Sequence, residues 1–282
     1  MSSGKGNFMA SALAIALSLP TMVQAKEVKF EELVATVVAL EQQVADLEAK
    51  LAAVSVNVDG DLVISGTNLV IQSGNGATDA AVNGKGNLII GYNEDLLGAS
   101  SRTGSHNLIV GPEHSYTSFG GFVAGLGNTI TGKHASVTGG DGNAALSDHS
   151  AILGGAGNTT ANVSPPKGFP VGLGATIGGG SVNIATGDFA SISGGSNNEA
   201  SANGASISGG KGNIASSDIA SVSGGRGNTA SGQDANVSGG TNNTASGDGA
   251  SVSGGHGCTE ARDQGWSVGD TDVVTTGCTT SN

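Results

Sequence analysis

Residues 220–232 read Ala-Ser-Val-Ser-Gly-Gly-Arg-Gly-Asn-Thr-Ala-Ser-Gly, and near-copies of this phrase follow one another along the chain. Aligned at a period of 15, the copies share one apolar column: Phe122, Val137, Ile152, Ile177, Ile192, Ile207, Val222, Val237 and Val252. A glycine stands three residues after every member of this column, from Gly125 to Gly255. A short, fixed period of this kind predicts a solenoid, in which each repeat forms one coil that stacks on the next.

Each repeat contains two alternating segments separated by glycine-containing turns, which predicts two short strands per coil. In Ala-x-Val the small and branched residues face inward and serine faces outward, and in Asn-x-Ala the asparagine and alanine face inward. We therefore predict an all-β fold, a parallel β-roll. Stacked coils bring the asparagines into one column, where each amide can hydrogen-bond to its neighbours above and below. This predicted structural ladder comprises Asn128, Asn143, Asn158, Asn183, Asn198, Asn213, Asn228 and Asn243.

The regular array is predicted to span residues 120–257, with a ten-residue insertion at 165–174. The insertion holds three of the five prolines, as expected of a surface excursion that needs no ladder donors. Residues 55–119 are predicted to form irregular coils that precede the array. They carry four apolar triplets, at 62–64, 69–71, 88–90 and 108–110, which indicate short buried strands.

A helical segment is predicted at residues 28–54, before the first strand. Its apolar residues are spaced alternately by three and four, which is the seam of a coiled coil. The seam comprises Leu33, Val37, Leu40, Val44, Leu47 and Leu51, flanked by Phe30 and Val54. An isolated helix of this length is marginal in water, so it must associate either with copies of itself or with the chain's own β domain. Self-association is favoured because the stripe is narrow and regular, unlike the broad face of a helix that lies on a globular core.

Residues 1–25 have the order of features of a secretory signal peptide. Lys5 precedes an apolar run at 9–19 that is too short to span a bilayer, and Val-Gln-Ala at 23–25 fits a cleavage site ending at Ala25. We therefore expect an exported protein, located outside the cell or on a bacterial cell surface, with a periplasmic location also open.

Both cysteines, Cys258 and Cys278, lie near the end of the sequence. In an exported chain they are expected to form one disulfide. Cys258 takes the asparagine position of the last coil, so the bond would tie residues 258–282 over the end of the roll as a cap. Trp266 is expected to cover the open core there.

Composition argues against several classes of protein. Of 282 residues, 50 are glycine and only 3% are aromatic, so the chain lacks the core of an ordinary enzyme. A net charge of −12 disfavours a nucleic-acid partner. His134 and His149 share a turn column, but without a third ligand they are expected to be solvated, and no metal or cofactor is predicted. Four aspartates in a neighbouring turn column are expected to form a solvated acidic edge: Asp148, Asp188, Asp218 and Asp248.

Each coil offers only about one branched side chain and two alanines for burial, worth a few kcal/mol at ~25 cal/mol per Å². Such a roll is expected to associate side by side. The repeated Ser-Val-Ser-Gly-Gly and Asn-Thr-Ala-Ser-Gly phrases of residues 105–255 resemble the head repeats of trimeric autotransporter adhesins, the YadA-like or haemagglutinin-like heads. This resemblance implies a left-handed roll, a homotrimer and an adhesive function. The coiled coil here precedes the head, and residues 266–282 do not match the family's membrane anchor, so anchoring is not implied.

Three non-enzymatic functions are compatible with these features. The first is an adhesin or extracellular structural protein that contacts a matrix protein, a glycan or a neighbouring cell. The second is a spacer or envelope fibre subunit with no specific ligand. The third is ice binding, because outward Ser-x-Ser rows would make a flat hydroxyl face. These rows are Ser191/Ser193, Ser206/Ser208, Ser221/Ser223 and Ser251/Ser253.

Overall fold

The computed structural model describes residues 29–96, 98–161, 173–269 and 278–281. The predicted signal peptide, with its cleavage site at Ala25, and most of the predicted insertion 165–174 lie outside these residues. The chain divides into two compact units, Met1–Val70 and Ile71–Asn282. No helix in the described ranges is long and apolar enough to cross a membrane.

The first unit contains one helix, α1, at residues 29–50, and a hairpin. The hairpin strands, β1 (Val54–Val56) and β2 (Leu62–Ile64), pair antiparallel. The prediction that residues 55–64 belong to coils of the roll is therefore wrong. The Asn57 side-chain oxygen accepts hydrogen bonds from the backbone N–H groups of Asp59 and Asp61, and Gly60 adopts φ +89°. These contacts close a tight turn that reverses the chain.

Two further apolar triplets also differ from the prediction. Residues 69–71 form no strand, and Leu69 and Val70 are exposed. Residues 88–90 do form the first strand of the roll, but Ile89 remains 43% exposed because it lies at the uncovered end of the stack. Only the fourth triplet, 108–110, is a buried strand as predicted, with Ile109 fully buried.

The second unit is the predicted parallel β-roll, and two sheets form its opposite faces. The long sheet has 13 strands: β3 (Leu88–Ile90), β4 (Leu108–Val110), β6 (Phe122–Ala124), β8 (Ser136–Val137), β10 (Ala151–Ile152), β12 (Thr176–Ile177), β14 (Ser191–Ile192), β16 (Ser206–Ile207), β18 (Ser221–Val222), β20 (Asn236–Val237), β22 (Ser251–Val252), β24 (Trp266–Gly269) and β25 (Cys278–Ser281). The short sheet has ten: β5 (Ser115–Tyr116), β7 (Thr129–Ile130), β9 (Ala144–Ala145), β11 (Thr159–Thr160), β13 (Ile184–Ala185), β15 (Glu199–Ala200), β17 (Ile214–Ala215), β19 (Thr229–Ala230), β21 (Thr244–Ala245) and β23 (Thr259–Glu260).

Each strand of the regular array pairs with the strand of the same sheet in the next coil. Val222 aligns with Val237 in the long sheet, and Ala230 aligns with Ala245 in the short sheet. The strand register is the same on both sides of the insertion, because Ile152 aligns directly with Ile177. The one antiparallel neighbour in the long sheet is β25, which pairs with β24 at the C-terminal end.

A narrow core runs between the two sheets. The long sheet supplies one buried valine or isoleucine per coil, and alanines from both sheets fill the remaining space. The first member of the buried valine and isoleucine column differs from the prediction. Val123, and not Phe122, aligns with Val137 and is fully buried. The coil between Val123 and Val137 is therefore one residue shorter than the repeat, so an alignment at a period of 15 selects the wrong residue.

Candidate functional site

The asparagine ladder is the main polar feature of the interior, and all eight predicted members are buried. The prediction of amide-to-amide bonding is only partly right. The side-chain oxygen of each asparagine accepts a hydrogen bond from the backbone N–H of the residue that occupies the ladder position in the next coil, as Asn213 does from Asn228 at 3.0 Å. A direct amide-to-amide bond joins Asn158 to Asn143 at 3.1 Å.

The side-chain N–H groups of the ladder hold the adjacent turns. Asn213 donates to the carbonyl of Gly209 in its own coil at 2.8 Å and to that of Gly225 in the next coil at 3.1 Å. One buried amide thus serves three backbone groups, with its donors and acceptor all used. Because these side chains are fully occupied inside the roll, the ladder is structural and offers nothing to a ligand.

His114 begins the ladder, which the sequence analysis did not foresee. Its Nδ1 accepts the N–H of Asn128 at 3.1 Å, and its Nε2–H donates to the Val110 carbonyl at 3.0 Å. These bonds repeat two of the three roles of an asparagine rung and require the neutral imidazole. The ring is fully buried, and burial lowers the pKa of His114 below its usual 6.5.

We expect the His114→Asn variant to lose a pH dependence that the wild type has. Since the pKa of His114 is lowered on folding, unfolded chains take up a proton that folded chains exclude. Stability is therefore full above about pH 6.5 and decreases as the pH falls below it. Asparagine supplies the same bonds without titrating. Urea unfolding at about pH 8 and about pH 5 measures the difference.

His134→Asn is the matched control for this experiment. His134 is exposed in a turn at φ +56°, a conformation that asparagine tolerates. This variant should keep the acid-dependent decrease in stability. An undiminished decrease in His114→Asn would contradict the assignment of the effect to His114.

The predicted disulfide between Cys258 and Cys278 is confirmed, with the two Cα atoms 5.4 Å apart. The backbone N–H of Cys258 donates to the Asn243 side chain at 2.9 Å, so this residue is the last rung of the ladder. The bond links that rung to β25, the strand at the edge of the long sheet. The prediction for Trp266 is wrong: its indole lies on the outer face and donates to Ser253 at 2.7 Å.

A buried glutamate closes the core where tryptophan was expected. Glu260 stands in the alanine column of the short sheet and is 1% exposed. Arg262 forms two hydrogen bonds of 3.0 Å to its carboxylate, and Ser267 donates a third at 2.7 Å. The hydrogen bonds from Arg262 and then Ser267 lower the pKa of Glu260 to about 2. An inward-pointing charge at the edge of a sheet opposes further strand addition, so Glu260 terminates the stack.

The outer faces carry the repetitive pattern that could meet a partner. On the long sheet the predicted serine rows run outward, with a half-buried column that includes Ser221 and an exposed column that includes Ser223. The short sheet carries outward hydroxyl pairs in two adjacent coils near its C-terminal end, Thr229/Ser231 and Thr244/Ser246, and one at its start, Thr129/Thr131. The coils between them carry Ala144, Ile184, Glu199 and Ile214 in the same column, so these pairs do not form a continuous row. Strand alternation alone could have identified these pairs.

The aspartates of the turn column are not merely solvated. The side chain of Asp148 accepts the backbone N–H of Lys133 at 2.8 Å, and Asp248 accepts that of Gln233 at 3.1 Å. Each bond joins one coil to the next. These carboxylates therefore help to hold the turns together, in addition to giving this edge its negative charge.

The remaining candidates do not form a chemical site. The rings of His134 and His149 stack with centroids 5.3 Å apart, and Phe119 meets His134 edge-on. Within the described ranges no three histidine, cysteine, aspartate or glutamate residues gather to hold a metal. A small cleft lies between residues 72–78 and His106, whose Nε2 accepts the Ser73 N–H at 3.1 Å. His106 is therefore engaged in holding the neighbouring loop.

No protein-family model matches this chain, and no curated protein is significantly similar to it.

Proposed function

We propose that the protein is an exported, non-enzymatic bacterial adhesin or extracellular structural protein that works as a homotrimer. The observation that carries this proposal is the division of the roll into a closed interior and two repetitive outer faces. The ladder amides use their hydrogen-bonding groups inside the roll, whereas the serine rows of the long sheet repeat on the outside at ~4.8 Å per coil. Such a surface suits an extended partner, such as a matrix protein, a glycan or a neighbouring cell surface.

The helix supports the trimer. Every residue of α1 is exposed in the single chain, and the seam side chains from Leu33 to Leu51 are 45–59% exposed. A narrow apolar seam of this kind is stabilised when copies pack together. Three copies would triple each hydroxyl row, and weak contacts could then add up through avidity. The resemblance to trimeric adhesin heads points to the same number.

Light scattering on the exported protein tests the trimer and should give three times the mass of one chain. Leu40→Gln with Leu47→Gln should shift the mass towards one chain, because both changes put polar groups into the seam. Ala35→Gln with Ala49→Gln is the matched control, since these positions lie opposite the seam and should leave the mass unchanged. A wild-type protein with the mass of one chain would contradict the trimer.

The adhesive part of the proposal is tested separately by capture of matrix proteins and glycans on the immobilised trimer. Binding that saturates and is lost in the seam variant supports an adhesin that depends on avidity. A trimer that captures none of them would favour the spacer or fibre subunit.

Ice binding is a second candidate, favoured by the serine rows on the outer face of the long sheet. Thermal hysteresis of the trimer decides it, and replacement of Ser208 and Ser223 by lysine should abolish any hysteresis. Both side chains are exposed on the long sheet, so these substitutions leave the core intact.

A further inference from the structure

The two turns of each coil give the roll two opposite edges. We name the turns that follow the short sheet the acidic edge (residues 131–134, 146–149, 187–189, 202–204, 217–219, 232–234, 247–249 and 262–264). We name the turns that follow the long sheet the basic edge (residues 126–127, 141–142, 156–157, 181–182, 196–197, 211–212, 226–227, 241–242 and 256–257).

Three exposed apolar residues on these edges adopt a strained backbone conformation. On the acidic edge Phe189 has φ 56° and Ile219 has φ 60°, and they are 63% and 61% exposed. On the basic edge Val182 has φ 56° and is 48% exposed. Bulky and β-branched residues rarely adopt such angles, and other coils place glycine at these positions, as at Gly204 and Gly212. Apolar side chains kept at strained, exposed positions indicate a surface that is covered in the assembled protein.

The charges of the two edges are complementary. Lys211 and Arg226 are neighbours on the basic edge, and Asp218 and Asp234 lie on the acidic edge; all four are exposed. Within the described residues neither cation forms an ion pair in its own chain. Each edge thus carries charge that its opposite edge could neutralise on another copy.

The matching residues also lie at matching heights. Val182 and Phe189 belong to one coil, seven residues apart on opposite edges, and Lys211 and Asp218 have the same separation. In a cyclic assembly every copy has the same height along the axis, and a heterologous contact of this kind can close into a ring. Phe189 of one copy would then face Val182 of the next, and Asp218 would face Lys211.

We infer that neighbouring copies of this chain pack side by side in register, with the acidic edge of one roll against the basic edge of the next. This interface rests on the proposed trimer and specifies which surfaces form it. It would cover the three strained apolar residues and pair the unpaired charges. In a closed ring one sheet of each roll faces the axis, and the other remains free on the outside.

Cysteine cross-linking tests the interface directly. Val182→Cys combined with Phe189→Cys should give covalent trimers on a non-reducing gel after mild oxidation, because the two thiols meet only between copies. The control, Val182→Cys with Gln264→Cys, places the acidic-edge cysteine five coils further along the roll. This offset is about 24 Å at ~4.8 Å per coil, beyond the reach of a disulfide. The control should remain a single chain.

A charge-reversal series provides a second measurement that needs no cysteine. Lys211→Glu with Arg226→Glu should reduce the trimer fraction at low salt, and adding Asp218→Lys with Asp234→Lys should restore it. A wild-type trimer that gives neither the cross-link nor this rescue would overturn the interface and leave the proposed trimer standing. Equal cross-linking of the offset pair would overturn the register. A wild type with the mass of one chain would remove both proposals.

Discussion

Replacement of Gly225 by alanine is expected to destabilise the protein by at least about 3 kcal/mol, whereas alanine at the adjacent Gly224 is expected to be tolerated. Gly225 has φ +85°, where a side chain is strained in any surroundings. An added Cβ would also overlap the carbonyl oxygen of Gly240 in the next coil and approach the Asn228 amide to 2.5 Å. Because Gly240 is backbone in a stacked coil, it cannot move aside without breaking the register.

Gly224 is a matched control for this substitution because it lies one residue earlier in the same turn. A Cβ built there meets no atom within 4 Å, and its φ lies outside the left-handed region. Alanine should be neutral or stabilise by up to about 1 kcal/mol, because it reduces the freedom of the unfolded chain. Urea unfolding followed by circular dichroism compares the two variants. Equal midpoints for both would show that the close stacking of turns does not limit stability.

The same contact explains why the repeat could be interpreted from the sequence. Every coil from Gly125 to Gly255 brings a turn against the backbone of the next coil, so only glycine fits in that column. The alternation of each strand fixes which residues are buried, and the prediction of the sheets was therefore correct over the regular array. A backbone contact that recurs in every coil requires the same residue type at a fixed spacing. The period in the sequence therefore reports the fold and does not depend on the function of the protein.

Features outside the period were predicted poorly, for identifiable reasons. The separation between His114 and Asn128 is one residue shorter than the repeat, so an alignment at the full period places His114 in the wrong column. For the same reason the alignment placed Phe122 in the buried column, whereas the structure has Val123 there. The partners of Glu260 occur once and follow no repeat. The apolar triplet at 62–64 fits a coil as well as a hairpin, and the turn around Gly60 was the local signal for the hairpin.

Partner recognition depends on the residues that the fold constrains least. The outward serines and threonines can change without disturbing the core, so the period carries little information about what they contact. The turn edges differ in this respect. Phe189, Ile219 and Val182 break the local preference for glycine or asparagine, and their exposure shows that the fold of one chain does not require them. Departures from the repeat are therefore the best guide to function in this chain.

Replacement of Asn213 by alanine is the second substitution for which we expect a large effect. It removes the oxygen that accepts the Asn228 N–H and, among the described residues, the only donor to the Gly209 carbonyl. The Gly225 carbonyl keeps a bond from the Lys211 N–H at 2.9 Å. An unpaired N–H of the buried Asn228 costs about 1–3 kcal/mol, and the unpaired carbonyl of the half-buried Gly209 costs less, so we expect a loss of about 2–4 kcal/mol. Asn203→Ala changes an exposed turn residue and should stay within about 0.5 kcal/mol.

Hydrogen exchange distinguishes this mechanism from a general loosening of the roll. In Asn213→Ala the amide of residue 228 should lose protection, because its acceptor is gone. The amide of residue 213 should keep protection, because it still donates to the Asn198 side chain, at 3.0 Å in the wild type. Equal loss at both amides would mean that the coil opens as a whole. Unchanged protection at residue 228 would mean that the ladder does not hold the coils together. Since each rung bonds its neighbour in one direction only, the loss should begin on the C-terminal side of the substituted coil.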